Sequence, residues 1–166
     1  MRLKQKIIPC LLLVLPSYSI ASGVYQVETR SCTTYEHRPD TGPAACTDFS
    51  RQDLQHESLT SRNLNGIRLI RAKLDGANLK NASLQGAKMA FVILKQADLS
   101  HADLRYTDLR QANLYQANLQ SVDLRGANLS GARLAGTNLK QAIYNDQSIL
   151  PFSEDMAKKL GMVLVK

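Results

Sequence analysis

Residues 67–146 read IRLIR AKLDG ANLKN ASLQG AKMAF VILKQ ADLSH ADLRY TDLRQ ANLYQ ANLQS VDLRG ANLSG ARLAG TNLKQ AIYND. The same register runs back through RNLNG, ESLTS, QDLQH and TDFSR to Thr47, giving twenty pentads without a phase slip. Seventeen have Leu at the centre, the exceptions being Phe49, Met89 and Tyr144. Eleven have Ala two places earlier, and twelve have Asn or Asp immediately before the centre. A fixed internal period of this length identifies a repeat architecture before any local propensity is considered.

A period of five is neither helical nor a plain strand. If the small residue and the Leu both point inward across an outward Asn or Asp, the local geometry is that of a strand. The last two residues of the pentad then turn the chain through a right angle, so the pattern is in, out, in, out, out. Four such sides close a square of twenty residues. Successive coils stack at roughly 4.8 Å, and five of them stand about 24 Å tall. Four Leu side chains fill each layer, and only a small side chain fits at the other inward place, beside a corner. Gly66, Gly76, Gly86, Gly126, Gly131 and Gly136 end their pentads, where glycine suits a turn position with positive φ.

These pentads resemble the A(D/N)LXX motif of the pentapeptide-repeat family, and the resemblance extends from about Thr47 to the C-terminus. It implies an all-β, right-handed quadrilateral β-helix of about five coils. It implies little about activity. Characterised members of that family include DNA mimics that bind and protect DNA gyrase, and fold alone does not carry function.

The N-terminus reads differently. Arg2, Lys4 and Lys6 precede an apolar run from Ile7 to Leu15, and Ser19-Ile20-Ala21 places small residues where a signal peptidase reads. Residues 1–21 are therefore expected to be a secretory signal peptide cleaved near Ala21. The run is too short to span a membrane and is interrupted by Pro9 and Pro16. Removing Arg2, Lys4 and Lys6 lowers the formal charge from +7 to +4 (7 − 3). The mature chain is then a mildly basic protein of a single domain, either periplasmic or secreted, with no transmembrane segment.

Cys32 and Cys46 remain after cleavage, and an even pair in an exported chain reads as a disulfide. It would lie in an N-terminal cap segment, residues 22–46, over the first coil. The rival reading, a metal pair with His37, fits no zinc spacing. The inward small positions of the first pentads are Thr47, Gln52, Glu57 and Arg62, polar as expected at a rim, and Glu57 is placed to pair with Arg62. At the other end the repeat decays after Tyr144, and Pro151 stops the ladder. Ser153 is expected to cap a short helix with Glu154 and Asp155 in its first turn, Lys158 and Lys159 near its end and Gly161 as its stop. Met156 and Leu160 would face the open coil, and Met162 to Val165 would add a strand or plug. The closing segment, residues 147–166, resembles the C-terminal cap of exported pentapeptide-repeat proteins. The solenoid proper is assigned to residues 47–146.

No pattern of catalysis emerges. His37, His56 and His101 are separated and outward, no Ser or Cys has a His at nucleophile spacing, and the glycines follow the repeat rather than a phosphate loop. The Asn and Asp before each Leu form a solvated ladder rather than a calcium loop. The expectation is a non-enzyme with no cofactor, no metal site and no small-molecule substrate.

Folding the pentads onto four sides places residues twenty apart over one another. Arg68, Ile70, Arg71, Lys88, Phe91, Ile93 and Lys95 then gather at one corner, where apolar residues at outward places are ringed by cations. Such a patch reads as a partner-binding face; the alternative is a bulge in the irregular pentads AKMAF and VILKQ. Three functions follow. One is an exported binding or scaffold module using this corner with an unidentified partner. Another is an electrostatic binder of an anionic envelope surface or nucleic acid, disfavoured for nucleic acid by the lack of stacking aromatics. The third, a gyrase-directed DNA mimic as in the family, conflicts with a net positive chain.

Overall fold

The structure, a computed structural model, describes residues 48–166. The expected signal peptide (1–21), the expected cap segment (22–46) with Cys32, His37 and Cys46, and Thr47 lie outside the described residues. From Asp48 onward the chain is one compact unit. Parallel bridges link the residue before each central Leu to its counterpart twenty places on: Asp48 to Arg68, Arg68 to Lys88, Lys88 to Asp108, and likewise on the other three sides. With a turn in every pentad, a twenty-residue step defines four-sided coils.

Each turn closes through a hydrogen bond from the first amide of the next pentad to the central carbonyl, as from Ala77 N to Leu74 O at 3.1 Å. The last residue of each pentad up to Gln141 lies in the left-handed region, whether glycine or not: Arg71 at φ 59°, Gly76 at 64°, Phe91 at 60°, Tyr106 at 58°. A positive φ at the third of four residues is the type II turn. Thirteen non-glycine residues hold this conformation between Arg51 and Gln141, so positive φ alone does not explain the glycines. At three of them the surroundings do. A Cβ on Gly76 would run into the imidazole of His56, one on Gly126 into the ring of Tyr106, and one on Gly131 into the amide of Gln111. In each case the side chain twenty residues earlier lies down over the glycine.

The inward places are filled as the repeat predicts. Leu69, Leu74, Leu79 and Leu84 form one layer, each 1% exposed or less, and Met89, Leu94, Leu99 and Leu104 the next. Burying a Leu or Met side chain contributes about 1.5–3 kcal/mol, so each layer of four is a large share of the stability. Ala72, Ala77, Ala82 and Ala87 occupy the corner-side places and are equally buried. Where Thr107 takes that place its hydroxyl donates to the Leu104 carbonyl at 2.7 Å, so the polar group is satisfied.

The outward Asn and Asp have a structural reason that goes beyond a solvated ladder. Their Oδ1 accepts the backbone N–H two residues on, as in Lys80 N to Asn78 (3.1 Å), Ser100 N to Asp98 (2.9 Å), Arg105 N to Asp103 (3.1 Å) and Ser130 N to Asn128 (3.0 Å). That amide faces outward at the start of the turn and has no partner in the coil stack. The Asx side chain supplies one locally. Lateral bonds also form, from Asn118 Nδ2 to Asp98 and from Asn138 Nδ2 to Asn118.

At the first coil Gln52 and Glu57 are exposed and Arg62 is half-buried, as expected of a rim. Glu57 and Arg62 form no ion pair among the described residues. At the far end the ladder gains one residue: Asn128 bridges to Ile149, twenty-one places on. The extra residue is taken up by a turn in which the Ser148 amide donates to Asn145 O, and Asn145 Oδ1 and Ser148 Oγ accept from Gly126 N. Strand β1 (Ile143–Tyr144) pairs in parallel with β2 (Val163–Leu164). Between them lies α1 (Glu154–Lys159), N-capped by Ser153, whose hydroxyl accepts from Met156 N. Its buried residue is Ala157; Met156 is 44% exposed and Leu160 intermediate. The inward face of this short helix is thus one position away from the Met156–Leu160 stripe expected of it, because Met162 supplies the bulky buried contact instead.

The corner cradles give a direct test. Gly126→Ala is expected to destabilise more than Gly86→Ala, since nothing lies within 4 Å of a Cβ at Gly86. Adding Tyr106→Ala should recover part of the Gly126→Ala loss. Coupling of at least about 0.5 kcal/mol in a chemical-denaturation double-mutant cycle is expected, and strict additivity would rule out the cradle.

Candidate functional site

The register places six of the seven residues of the expected face on the first and second sides about their shared corner, and Lys95 in the next turn, closed by Ala97 N to Leu94 O. Arg68 and Lys88 are bridged neighbours on the first side, and Lys73 and Ile93 on the second. Arg71 and Phe91 occupy the corner itself, in successive coils. Phe91 is 50% exposed, and the Arg71 guanidinium sits 5.4 Å from its ring centroid, a cation–π contact. Ile70 and Ile93 are half-buried, while Arg68, Arg71, Lys88 and Lys95 are exposed. Ala90, at an outward place, is nevertheless buried, at 6% exposure.

The irregular pentads do not bulge. Phe91 N donates to Arg110 O at 2.8 Å, Ile93 N to Ala72 O at 3.0 Å, and Met89 fills the place of Leu with no exposed surface. The Phe91 side chain is therefore held outward by an undistorted ladder. Two further residues that the register also places outward flank the seven: Arg51, one coil before Arg71 in the same corner column, and Tyr115, 45% exposed and one coil after Lys95. The register alone places both; what it lacked was the extent of exposure.

Four adjoining positions, Arg68, Lys73, Lys88 and Ile93, occupy the place that Asx residues hold elsewhere. Their pentads consequently lack the Asx acceptor, and the amides of Ile70, Asp75, Ala90 and Lys95 make no hydrogen bond among the described residues. Asx is also missing at Ser58, Ser83, Arg133 and Ile143, but these do not cluster into one face, and Asn65 supplies the acceptor to Gln85 N in the pentad of Ser83.

The charges around the square are unequally satisfied. On the fourth side Arg105 and Arg125 each form a forked pair with the Asp two residues before, at 2.7 Å for the shorter contact. Arg110 pairs in the same way with Asp108, and Arg68 reaches Asp48 at 3.3 Å. The Arg68–Lys88 repulsion is thereby relieved on one side by Asp48 and on the other by Asp108. Arg51, Arg71, Lys73, Lys88 and Lys95 make no ion pair among the described residues. Hydrogen bonds from Arg105 and Arg110 hold the Asp103 and Asp108 carboxyls below their ordinary value of 3.8, against the opposing effect of burial. His56 and His101 are exposed, and no three His, Cys, Asp or Glu side chains converge on a possible metal position among the described residues.

Comparison with known proteins follows the geometry. The family model for pentapeptide repeats matches in eight copies, over residues 63–100, 93–131 and 123–143. A pentapeptide repeat protein of the Arabidopsis thaliana thylakoid lumen is 32% identical, with 69% of this chain and 74% of that one covered and a TM-score of 0.48. A pentapeptide repeat protein from Nostoc Pcc 7120 is also 32% identical, with 67% and 99% covered and a TM-score of 0.36. QnrB1, a plasmid-mediated fluoroquinolone resistance protein, is 16% identical, with 72% and 79% covered and a TM-score of 0.40. No curated protein matches the chain. The chain belongs to the pentapeptide-repeat family, and its fold is the right-handed β-helix solenoid of that family. Among the described residues no helix is long and apolar enough to cross a membrane.

The Asp–Arg pairs set an acid limit. Carboxyls with a folded-state pKa below the unfolded value stabilise fully above that unfolded value and lose the contribution as pH falls through the folded one. The melting temperature is expected to hold from neutrality to about pH 5 and then fall. The fall should be smaller in Asp103→Asn/Asp108→Asn, measured by thermal unfolding at both pH extremes. An equal fall in the variant would remove these two pairs from the account.

Proposed function

We propose that the protein is an exported, non-enzymatic binding module that presents the corner of Arg68, Ile70, Arg71, Lys88, Phe91, Ile93 and Lys95 to a macromolecular partner. The observation that carries this reading is the loss of four adjoining Asx acceptors. A backbone hydrogen bond contributes about 0.5–1.5 kcal/mol, and the sequence forgoes four of them in one place, putting cations and Ile where Asp or Asn would serve the fold. A half-exposed Phe91 held under Arg71 adds an apolar anchor in the same place. Export is supported by the basic, apolar and small-residue order of residues 1–21 and by a 32% identical relative from the thylakoid lumen. In this reading residues 22–46, closed by a Cys32–Cys46 disulfide, cover the first coil, and residues 147–166 with α1 cover the last. DNA mimicry is a poor fit, since residues 48–166 carry 16 basic and 11 acidic side chains.

Both substitutions in Phe91→Ala/Arg71→Glu are at outward places, so the variant is expected to keep the wild-type melting temperature to within a few degrees. It should lose the partner that wild type recovers from an envelope fraction. Equal recovery by both would make this corner ordinary surface. For the disulfide, mass spectrometry of the mature chain after alkylation without reduction should show neither Cys32 nor Cys46 modified; two alkylated thiols would refute the pair.

A further inference from the structure

We infer that this corner takes an acidic polypeptide segment carrying an apolar side chain, an assignment that rests on the proposed binding face and names its partner by chemistry. Charge complementarity comes first. Of the six cations one place after the central Leu, Arg105, Arg110 and Arg125 are neutralised by the Asp two residues before, as in Asp103-Leu104-Arg105, whereas Lys80 and Lys140 follow Asn and make no ion pair among the described residues. The corresponding triplet at the face is Ile93-Leu94-Lys95, with the carboxylate replaced by an apolar residue. Lys88-Met89-Ala90 and Arg68-Leu69-Ile70 reverse the order and again offer no acid. Arg71, Lys73, Lys88 and Lys95 make no ion pair among the described residues, although Asp53 and Asp108 stand one coil from Lys73 and Lys88. A carboxylate from outside can complete what the protein completes internally on its fourth side.

The apolar component comes second. Phe91 and Tyr115 are 50% and 45% exposed, with Ile93 half-buried on the same side. The ladder fixes the backbone of each, so ordering this face on binding costs little. A planar guanidinium can stack on a ring by its face and offer its edge N–H groups in a forked contact to a carboxylate.

The same observations disfavour other anions. Nucleic-acid binding uses open aromatic faces as stacking platforms, whereas Arg71 already covers Phe91. A continuous anionic membrane surface would press against Asp48, Asp75 and Asp108, which lie on these same two sides. A polypeptide can place its carboxylates between them.

The test uses the purified chain and a synthetic peptide alternating Glu with Leu and Phe, read by fluorescence anisotropy. Controls are the same peptide with Ser for the apolar residues, phosphatidylglycerol vesicles and an oligothymidylate. The Glu-Leu-Phe peptide is expected to bind best, with about tenfold weaker binding to Phe91→Ala and to Lys88→Gln/Lys95→Gln. Arg125→Gln, on the fourth side, should bind as wild type does. Tighter binding to vesicles or oligonucleotide, equal binding of the Ser peptide, or indifference to Phe91→Ala would overturn the assignment. If the peptide fails while recovery of the envelope partner still requires Phe91 and Arg71, the face stands and the acidic segment falls. If recovery is also indifferent, both fall.

Discussion

Every side of this solenoid is held by backbone hydrogen bonds to the coil before and the coil after. Lys73 N donates to Gln52 O while Leu74 N donates to Ile93 O, so one short side reaches both neighbours. This double bonding fixes the coil at twenty residues. A coil one residue longer has to put the extra residue into a corner turn, as the Asn145–Ser148 turn does between Asn128 and Ile149, or its inward side chains would fall at outward places. Corner conformation follows from the same constraint. Each right-angle turn must return the chain to the correct height in five residues, and the type II turn does so with whatever residue stands at its third position. Phe91 and Tyr106 tolerate a left-handed backbone because the two adjacent coils impose it.

Side chains then divide into those that serve the stack and those that do not. Leu, Ala and the Asx acceptors serve it, in the core and at the turn. Glycine at a corner serves it by yielding space to the side chain twenty residues earlier, as Gly126 does for Tyr106. The remaining positions are free, and they are used differently on different sides. The fourth side carries closed Asp–Arg pairs. The corner between the first and second sides carries apolar residues among cations of which Arg71, Lys73 and Lys88 make no ion pair among the described residues.

The repeat made the fold legible because Leu and Ala recur with a fixed spacing, and a spacing is a geometric statement. It also placed Arg68 over Lys88 and Arg71 over Phe91, which the bridges and the cation–π contact show. Sequence alone did not reveal why Asn and Asp precede the Leu. The acceptor role depends on an outward amide that appears only when the turn is built. The terminal helix was legible in its cap and charges but not in its inward face. Met156 and Ala157 differ by one position, and the choice between them depends on Met162, which the helix pattern does not contain. The corner glycines were read through their own backbone freedom, whereas at Gly76, Gly126 and Gly131 a side chain twenty residues earlier fills the space a Cβ would need.

The twenty-residue step has a consequence for how such a chain can change by duplication. Gain or loss of a single pentad preserves the buried layers, because every pentad is equivalent from inside. It also rotates everything downstream by a quarter turn. An added pentad between Arg71 and Phe91 would carry Phe91 onto the next corner and dissolve the patch, while an added set of four would leave the surface columns aligned. The interior is thus indifferent to lengthening in fives, and only lengthening in twenties conserves a recognition surface. Lineages of this architecture can therefore diverge in what they recognise through one small insertion, with no change to the core.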